Sequence, residues 1–323
     1  MREKIDAVIT WVDGDDPRHR AKRQQFGTQR QFSEENVAGD TRFKSLGEIF
    51  FCVASINRFA PWINKIYLVT DEQNPNLEPL LEHHFPEGYI PMEIVDHKVI
   101  FRDYEEHLPT FNSISIESMT WRIPGLSDRF IEFNDDLILG APVTPEDFFD
   151  GEDGVICYAE KKSYLLTAFT RLFKRRRDGS KEVSYKETML NGAAQAGTRR
   201  YFLKMDHTPK GLLRTFYEEY FTANAEVLVR NISHRFRHAS QFNPQELQYM
   251  TLHREGRLTL RPVKGNLFYL KPKKGVEYIE KKLQKFSQNS GCKYGCFNSL
   301  DQASEQGGKM IIAWIKARIG LKD

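Results

Sequence analysis

The feature that most constrains this chain is the stretch Phe130-Ile131-Glu132-Phe133-Asn134-Asp135-Asp136-Leu137-Ile138-Leu139. Apolar residues run up to Phe133 and resume at Leu137, so it reads as a buried strand interrupted at its end by a carboxylate pair. Two adjacent ionised Asp side chains are costly to bury unless a cation or hydrogen-bond donors meet them. At a strand end of an α/β sheet, such a pair is placed to hold a divalent cation and, through it, a diphosphate, which points toward nucleotide-sugar chemistry. Asn-Asp-Asp is also good turn chemistry, and the motif alone does not separate the two readings.

The flanking pattern supports an α/β sheet. Ile5-Asp6-Ala7-Val8-Ile9-Thr10-Trp11-Val12 is β-branched and apolar enough for a buried first strand, closed by the turn Asp13-Gly14-Asp15-Asp16-Pro17. Residues 17–40 are polar and basic, expected as a solvated helix and a loop. Leu46, Ile49, Phe50, Val53 and Ile56 fall at helical spacing, and Ala60-Pro61-Trp62 stops that helix. Strands are expected at Ile66–Asp71, Met92–His97 and Val155–Ala159, with helices over Asn112–Trp121, Thr188–Ala196 and Lys210–Tyr220. Alternating strands and helices predict a Rossmann-like, mostly parallel sheet flanked by helices, with a ligand site across the carboxyl ends of its strands.

The domain reading is a nucleotide-sugar-binding α/β core over residues 1–159, a helical acceptor-side subdomain over 160–255, and a return to the core over 256–323 ending in an amphipathic helix. The last helix sets Met310, Ile311, Ile312, Trp314, Ile315 and Ile319 against Lys309, Lys316, Arg318 and Lys322. It can lie peripherally on an anionic membrane or dock as a core helix, with docking slightly favoured. The basic run Lys174-Arg175-Arg176-Arg177 is read first as a solvated face, with an anionic acceptor or a phospholipid surface as the functional reading.

Composition removes other classes. A net charge of +3 on 28% charged residues gives no argument for nucleic acid. No apolar run approaches the roughly 18 residues a membrane span needs, and Met1-Arg2-Glu3-Lys4 opens no signal-peptide core, so a cytoplasmic protein is expected. Of the four cysteines, Cys292 and Cys296 are close enough to suggest zinc, but no second pair or nearby His completes four ligands, and packing is the reading adopted.

Taken in order, the motifs resemble the Stealth family of capsular polysaccharide phosphotransferases, which includes the catalytic part of N-acetylglucosamine-1-phosphotransferase. The resemblance is carried by Ile5-Asp6 with Thr10-Trp11-Val12-Asp13-Gly14, and by Ala60-Pro61-Trp62-Ile63, Ile66–Asp71, Leu108–Ser113, Ile116-Glu117, Arg122–Ser127 and Asn134-Asp135-Asp136. It continues in Asp206-His207-Thr208-Pro209, Phe236-Arg237-His238 and Cys296-Phe297-Asn298. The chain departs from the family pattern at Leu46, Phe50, Glu72 and Ser299.

The resemblance implies a GT-A-like fold and transfer of a hexose-1-phosphate, N-acetylhexosamine-1-phosphate by expectation, from a UDP-sugar to a hydroxyl of an oligo- or polysaccharide acceptor, with release of UMP. It implies Mg²⁺ or Mn²⁺ on Asp135 and Asp136, Arg237 on the transferring phosphate, and His207 as general base, with His238 and more weakly His234 as competitors. Thr10, Asp13, Arg42, Asp71, Asn112, Glu117, Asn134, His238 and Asn298 are the expected substrate contacts. Asp13 and Asp71 can equally form turns; Asn112 and Glu117 are expected to face the site from the start of a helix, with an N-cap as the alternative for Asn112. The competing reading is a metal-dependent glycosyltransferase with a GT-A-like site that attacks the anomeric carbon and releases UDP. A non-catalytic scaffold at the membrane is a third.

Overall fold

Strand β1 (Ile5–Thr10) is apolar on both faces and almost wholly buried, as the middle strand of a parallel sheet must be. The computed structural model describes residues 3–27, 47–170, 184–298 and 300–322. In it, β1 lies between β2 (Ile66–Thr70) and β4 (Arg129–Asn134), both parallel to it, and β3 (Met92–Asp96) follows outside β2. The remaining strands are β5 (Leu137–Leu139), β6 (Phe149–Asp150), β7 (Gly154–Ser163), β8 (Tyr201–Met205), β9 (Lys210–Leu213), β10 (Leu258–Arg261), β11 (Leu267–Leu270) and β12 (Tyr294–Phe297). The central sheet has the order β3-β2-β1-β4-β9, with only β9 antiparallel.

This is the α/β, Rossmann-like class expected from the sequence. The connection passes from the β1–β2–β3 side to β4 on the other side of β1, so the chain reverses its winding between β1 and β4. That switch point opens a crevice at the carboxyl ends of these two strands. Thr10, the last residue of β1, pairs in register with Asn134, the last of β4.

The buried acid of β1 is satisfied by its neighbours. Asp6 is fully buried, and its two carboxylate oxygens accept from Asn64 Nδ2 at 2.7 Å and from the Ser127 amide at 2.8 Å. The helix Glu48–Phe59 covers one side with an almost unbroken buried run from Ile49 to Asn57.

Three expectations are corrected. The Phe130–Leu139 stretch is two strands in separate sheets rather than one interrupted strand: β4 belongs to the central sheet, whereas β5 pairs antiparallel with β12. Asp135 and Asp136 form the turn between them, so the turn reading and the strand-end reading are both realised. Residues 210–220 are not helical throughout, because Lys210–Leu213 adds to the exposed edge of β4 and only Arg214–Ala223 is helix. The segment 160–255, expected as a helical subdomain, contains β8 and β9 as well as helices, its first residues lie within β7, and β9 completes the central sheet. Tertiary pairing overrides local helical periodicity at such an edge.

The last helix, Glu305–Ile319, turns Ile311, Ile315 and Ile319 into the core. Trp314 packs on Phe268, Phe286 and Phe297, and its Nε1 donates to Ser287 Oγ at 2.9 Å. The docking reading is the one the structure shows: Ile311, Ile315 and Ile319 are buried, and Met310, Ile312 and Trp314 are partly buried against the core. Among the described residues no helix is long and apolar enough to cross a membrane. Arg42 and the basic run Lys174–Arg177 lie outside the described residues.

Candidate active site

A cleft of about 600 Å³ opens at the β1–β4 switch point. Its floor carries Thr10, Asn134, Asp135 and Asp136, and its walls carry Glu117, His207, Arg237 and Asn298. These eight come from segments far apart in sequence, and all were singled out there.

The carboxylate pair sits under electrostatic stress. Burial pushes the Asp135 carboxyl well above the usual carboxylate range, and the charges of Asp136 and Glu48 add to the effect. Asp136 Oδ2 accepts from Cys296 Sγ at 3.5 Å, while its Oδ1 is buried with no hydrogen-bond donor. Two adjacent acids with an unsatisfied buried oxygen suit a hard divalent cation, which would relieve both the repulsion and the missing donor. Among the described residues no cluster of three or more His, Cys, Asp or Glu is arranged to hold a metal, so the other coordination positions would fall to ligand oxygens and water.

Opposite the acids, the His207 ring stacks on Tyr269 at 4.9 Å and 22°. It leads from β8 into the short segment before β9, where Pro209 fixes the chain ahead of the edge strand. Removal from water lowers its pKa below the ordinary imidazole value, with Asp136 opposing the shift, so the ring is neutral at pH 7 and able to take a proton.

Arg237 reaches the cleft from a loop pinned to the segment that begins the Ser113–Glu117 helix. Phe236 stacks on Phe111 at 5.3 Å, the Phe111 amide donates to the Arg235 carbonyl at 2.8 Å, and Arg237 Nη2 donates to Ser113 Oγ at 3.2 Å. Desolvation lowers the Arg237 pKa, but the neighbouring Glu117 counters it, and a guanidinium stays charged at neutral pH.

Four expected contacts are placed elsewhere. Asn112 is completely buried: its Oδ1 caps the helix at the Ile114 amide, and its Nδ2 donates to the His234 carbonyl at 2.9 Å and to Gln241 Oε1 at 2.8 Å. It ties the Arg237 loop down instead of meeting substrate. Asp13 closes its turn by accepting from the Asp15 amide at 2.9 Å, and Asp71 is ion-paired with Lys22 at 3.2 Å. Neither lines the cleft. His238 is exposed outside it, stacked on His234 at 4.2 Å, with both rings contacting Ser240 Oγ.

Sequence reasoning missed a buried polar layer beneath Arg237. Glu132 and Lys210 are register partners across β4 and β9. Gln245 Nε2 donates to Glu117 Oε2 at 3.1 Å and also to Glu132 Oε1. Burial pushes the Glu132 carboxyl up to about 8, with Glu117 reinforcing the shift. Burial alone would lower the pKa of Lys210, but Tyr185, Glu132 and Glu117 outweigh it and the ammonium is held charged. Lys210, Tyr185 and Gln245 all line the cleft. Lys210 is three residues past His207, and Glu132 is a lone acid in an apolar strand, so both were visible; Tyr185 carried no signal. His19 and His97 also line the cleft, and burial lowers both rings, His97 to about 4.

Residues 3–31 match Stealth protein CR1, conserved region 1, and residues 42–156 match Stealth protein CR2, conserved region 2. The chain is a Stealth protein in these two regions. The receptor polysaccharide phosphotransferase WefC of Streptococcus gordonii is 36% identical over 220 residues, covering 67% of this chain and 60% of WefC. The capsular polysaccharide phosphotransferase WcwK of Streptococcus pneumoniae is 38% identical over 163 residues, covering 50% of this chain and 46% of WcwK. This Stealth chain therefore spans about half of the length of the curated relatives it matches. Among solved structures, the galactosyltransferase LgtC in complex with donor and acceptor sugar analogues aligns over 98% of this chain and 96% of its own, with a TM-score of 0.49 and 10% identity. A likeness at that level carries no argument about the site.

Proposed function

We propose that this Stealth chain transfers a sugar-1-phosphate from a UDP-sugar to a hydroxyl of a glycan acceptor, releasing UMP, in the synthesis of a capsular or other cell-surface polysaccharide. The observation that carries the reading is the meeting of Asp135, Asp136, His207 and Arg237 in one cleft at the β1–β4 switch point. The relatives named as polysaccharide phosphotransferases support the same class.

The residues divide the work. The acceptor oxygen attacks the β-phosphorus of the donor, its proton passes to the neutral His207 ring, and the bond from that phosphorus to the bridging oxygen breaks, that oxygen leaving with UMP. The bond between anomeric carbon and oxygen is untouched. Arg237 presents a planar pair of donors to the phosphoryl oxygens, where negative charge spreads as the transfer proceeds. Lys210 adds fixed positive charge beside it. Mg²⁺ or Mn²⁺ on Asp135 and Asp136 would supply charge neutralisation at the diphosphate. N-acetylhexosamine is the sugar the resemblance favours.

The test is product identity. Incubation with a panel of UDP-sugars and an oligosaccharide acceptor should yield UMP and a phosphodiester-linked product. UDP with a plain glycosidic product would replace this reading by glycosyl transfer, in which the acceptor attacks the anomeric carbon.

A further inference from the structure

A second groove, of about 500 Å³, lies between β11 and the helix Val276–Ser287 and adjoins the active cleft, since Lys271 lines both. Tyr269 joins the two from the other side: it lines the groove and also stacks against His207 at 4.9 Å. The groove carries two tyrosine rings with ammonium groups lying over their faces. Lys271 Nζ lies 5.5 Å from the Tyr269 ring centre, and Lys274 and Lys282 lie 5.0 and 5.8 Å from that of Tyr278, with Lys285 further along.

These lysines are not spent on carboxylates. The pair on this helix joins Lys281 to Glu277, and none of Lys271, Lys274, Lys282 and Lys285 makes an ion pair among the described residues. Flexible lysines act as point charges toward phosphate, and a lysine that turns to a phosphate leaves the tyrosine face beneath it open to the apolar C–H face of a pyranose. One ligand chemistry has both features in alternation.

We infer that this groove is the binding track for a glycan acceptor whose sugars are joined by phosphodiesters, and that it brings the chain's terminal hydroxyl to His207. The inference rests on the proposed sugar-1-phosphate transfer. Each such transfer leaves one phosphodiester, hence one negative charge, in the product, so an acceptor that has already been extended carries that charge along its length. Donor and acceptor then approach from opposite ends, the donor diphosphate at Asp135 and Asp136 and the acceptor past Tyr269.

The experiment measures binding of the whole chain to a synthetic tetramer of N-acetylglucosamine joined by phosphodiesters, with a glycosidically linked neutral tetramer and a single-stranded oligonucleotide of equal charge as controls. The triple variant Lys274→Gln, Lys282→Gln, Lys285→Gln alters exposed or half-buried side chains and should leave UDP binding unchanged. It should weaken the phosphodiester tetramer about 10-fold, as expected for three solvated ion contacts, and leave the neutral tetramer unaffected. Tyr278→Leu should weaken both tetramers. Unchanged affinity of the triple variant for the phosphodiester tetramer overturns the inference, as does an oligonucleotide that binds as tightly, which would make the groove a bare cationic surface. Product identity is read separately: UDP release with a groove that still selects the charged tetramer would overturn the proposed reaction and leave the groove standing.

Discussion

At the scale of single residues, the site works by removing groups from water to different degrees. The His207 ring is held below the ordinary imidazole value of 6.5 by burial, so a rate that needs its neutral form should rise through a pKa below that value and level off at neutral pH. His207→Ala should lower kcat by roughly 10²- to 10⁴-fold with UDP-sugar affinity nearly unchanged, and the acidic limb of the pH–rate profile should disappear. An Ala variant that keeps both its rate and that limb would remove His207 from the role of base. Arg237→Lys keeps the charge but loses the planar fork, so single-turnover transfer should already be badly slowed. For the acids the useful readout is binding: Asp136→Asn should reduce Mn²⁺ affinity in the presence of UDP, measured by calorimetry or by the spectrum of the free ion, because it removes an anionic hard ligand and the buried oxygen that lacks a donor. Equal Mn²⁺ affinity in the variant would place the metal elsewhere.

Elements place these side chains, and here the sequence was only partly legible. The β1 and β4 strands could be read because buried parallel strands are continuous apolar runs, and the motif at their ends could be read because charge there stands out. What stayed hidden were the long-range pairings. Nothing local shows that Lys210 faces Glu132 across an antiparallel edge, or that β5 leaves the central sheet for β12. Asp13, Asp71 and Asn112 stayed open between two readings because turn-forming and ligand-binding residues are the same chemical types, and only the fold reveals which lone pairs are already taken. Asn112 gives an element-scale test. Its three hydrogen bonds lock the loop of residues 234–241 to the Ser113–Glu117 helix, so Asn112→Ala should cost about 1–3 kcal/mol of unfolding free energy by stranding buried partners. Because Arg237 sits on that loop, kcat should fall more than KM changes. Unaltered denaturant midpoint and kcat would show that the loop is held by other contacts.

For the molecule as a whole, the decisive element is the C-terminal helix Glu305–Ile319, whose basic and apolar composition fits either a membrane surface or a core. Burial of Ile311, Ile315 and Ile319 contributes about 1.5–3 kcal/mol each, which together is comparable with the whole net stability of a typical domain, about 5–15 kcal/mol. The helix is also tied to distant parts of the chain: Arg318 Nε donates to the Gly140 carbonyl at 2.6 Å, just beyond β5, and Arg58 Nε donates to the Ile319 carbonyl at 3.0 Å. Since β5 continues directly from the Asp135–Asp136 turn, loosening this helix should reach the acids as well as the core. Removing residues from Lys309 onward should therefore abolish cooperative thermal unfolding and UDP binding together. The same truncation of a membrane anchor would leave a folded core with an unchanged Tm and would only release it from anionic vesicles. A truncated chain that unfolds cooperatively at the original Tm, binds UDP and no longer sediments with such vesicles would overturn the core assignment.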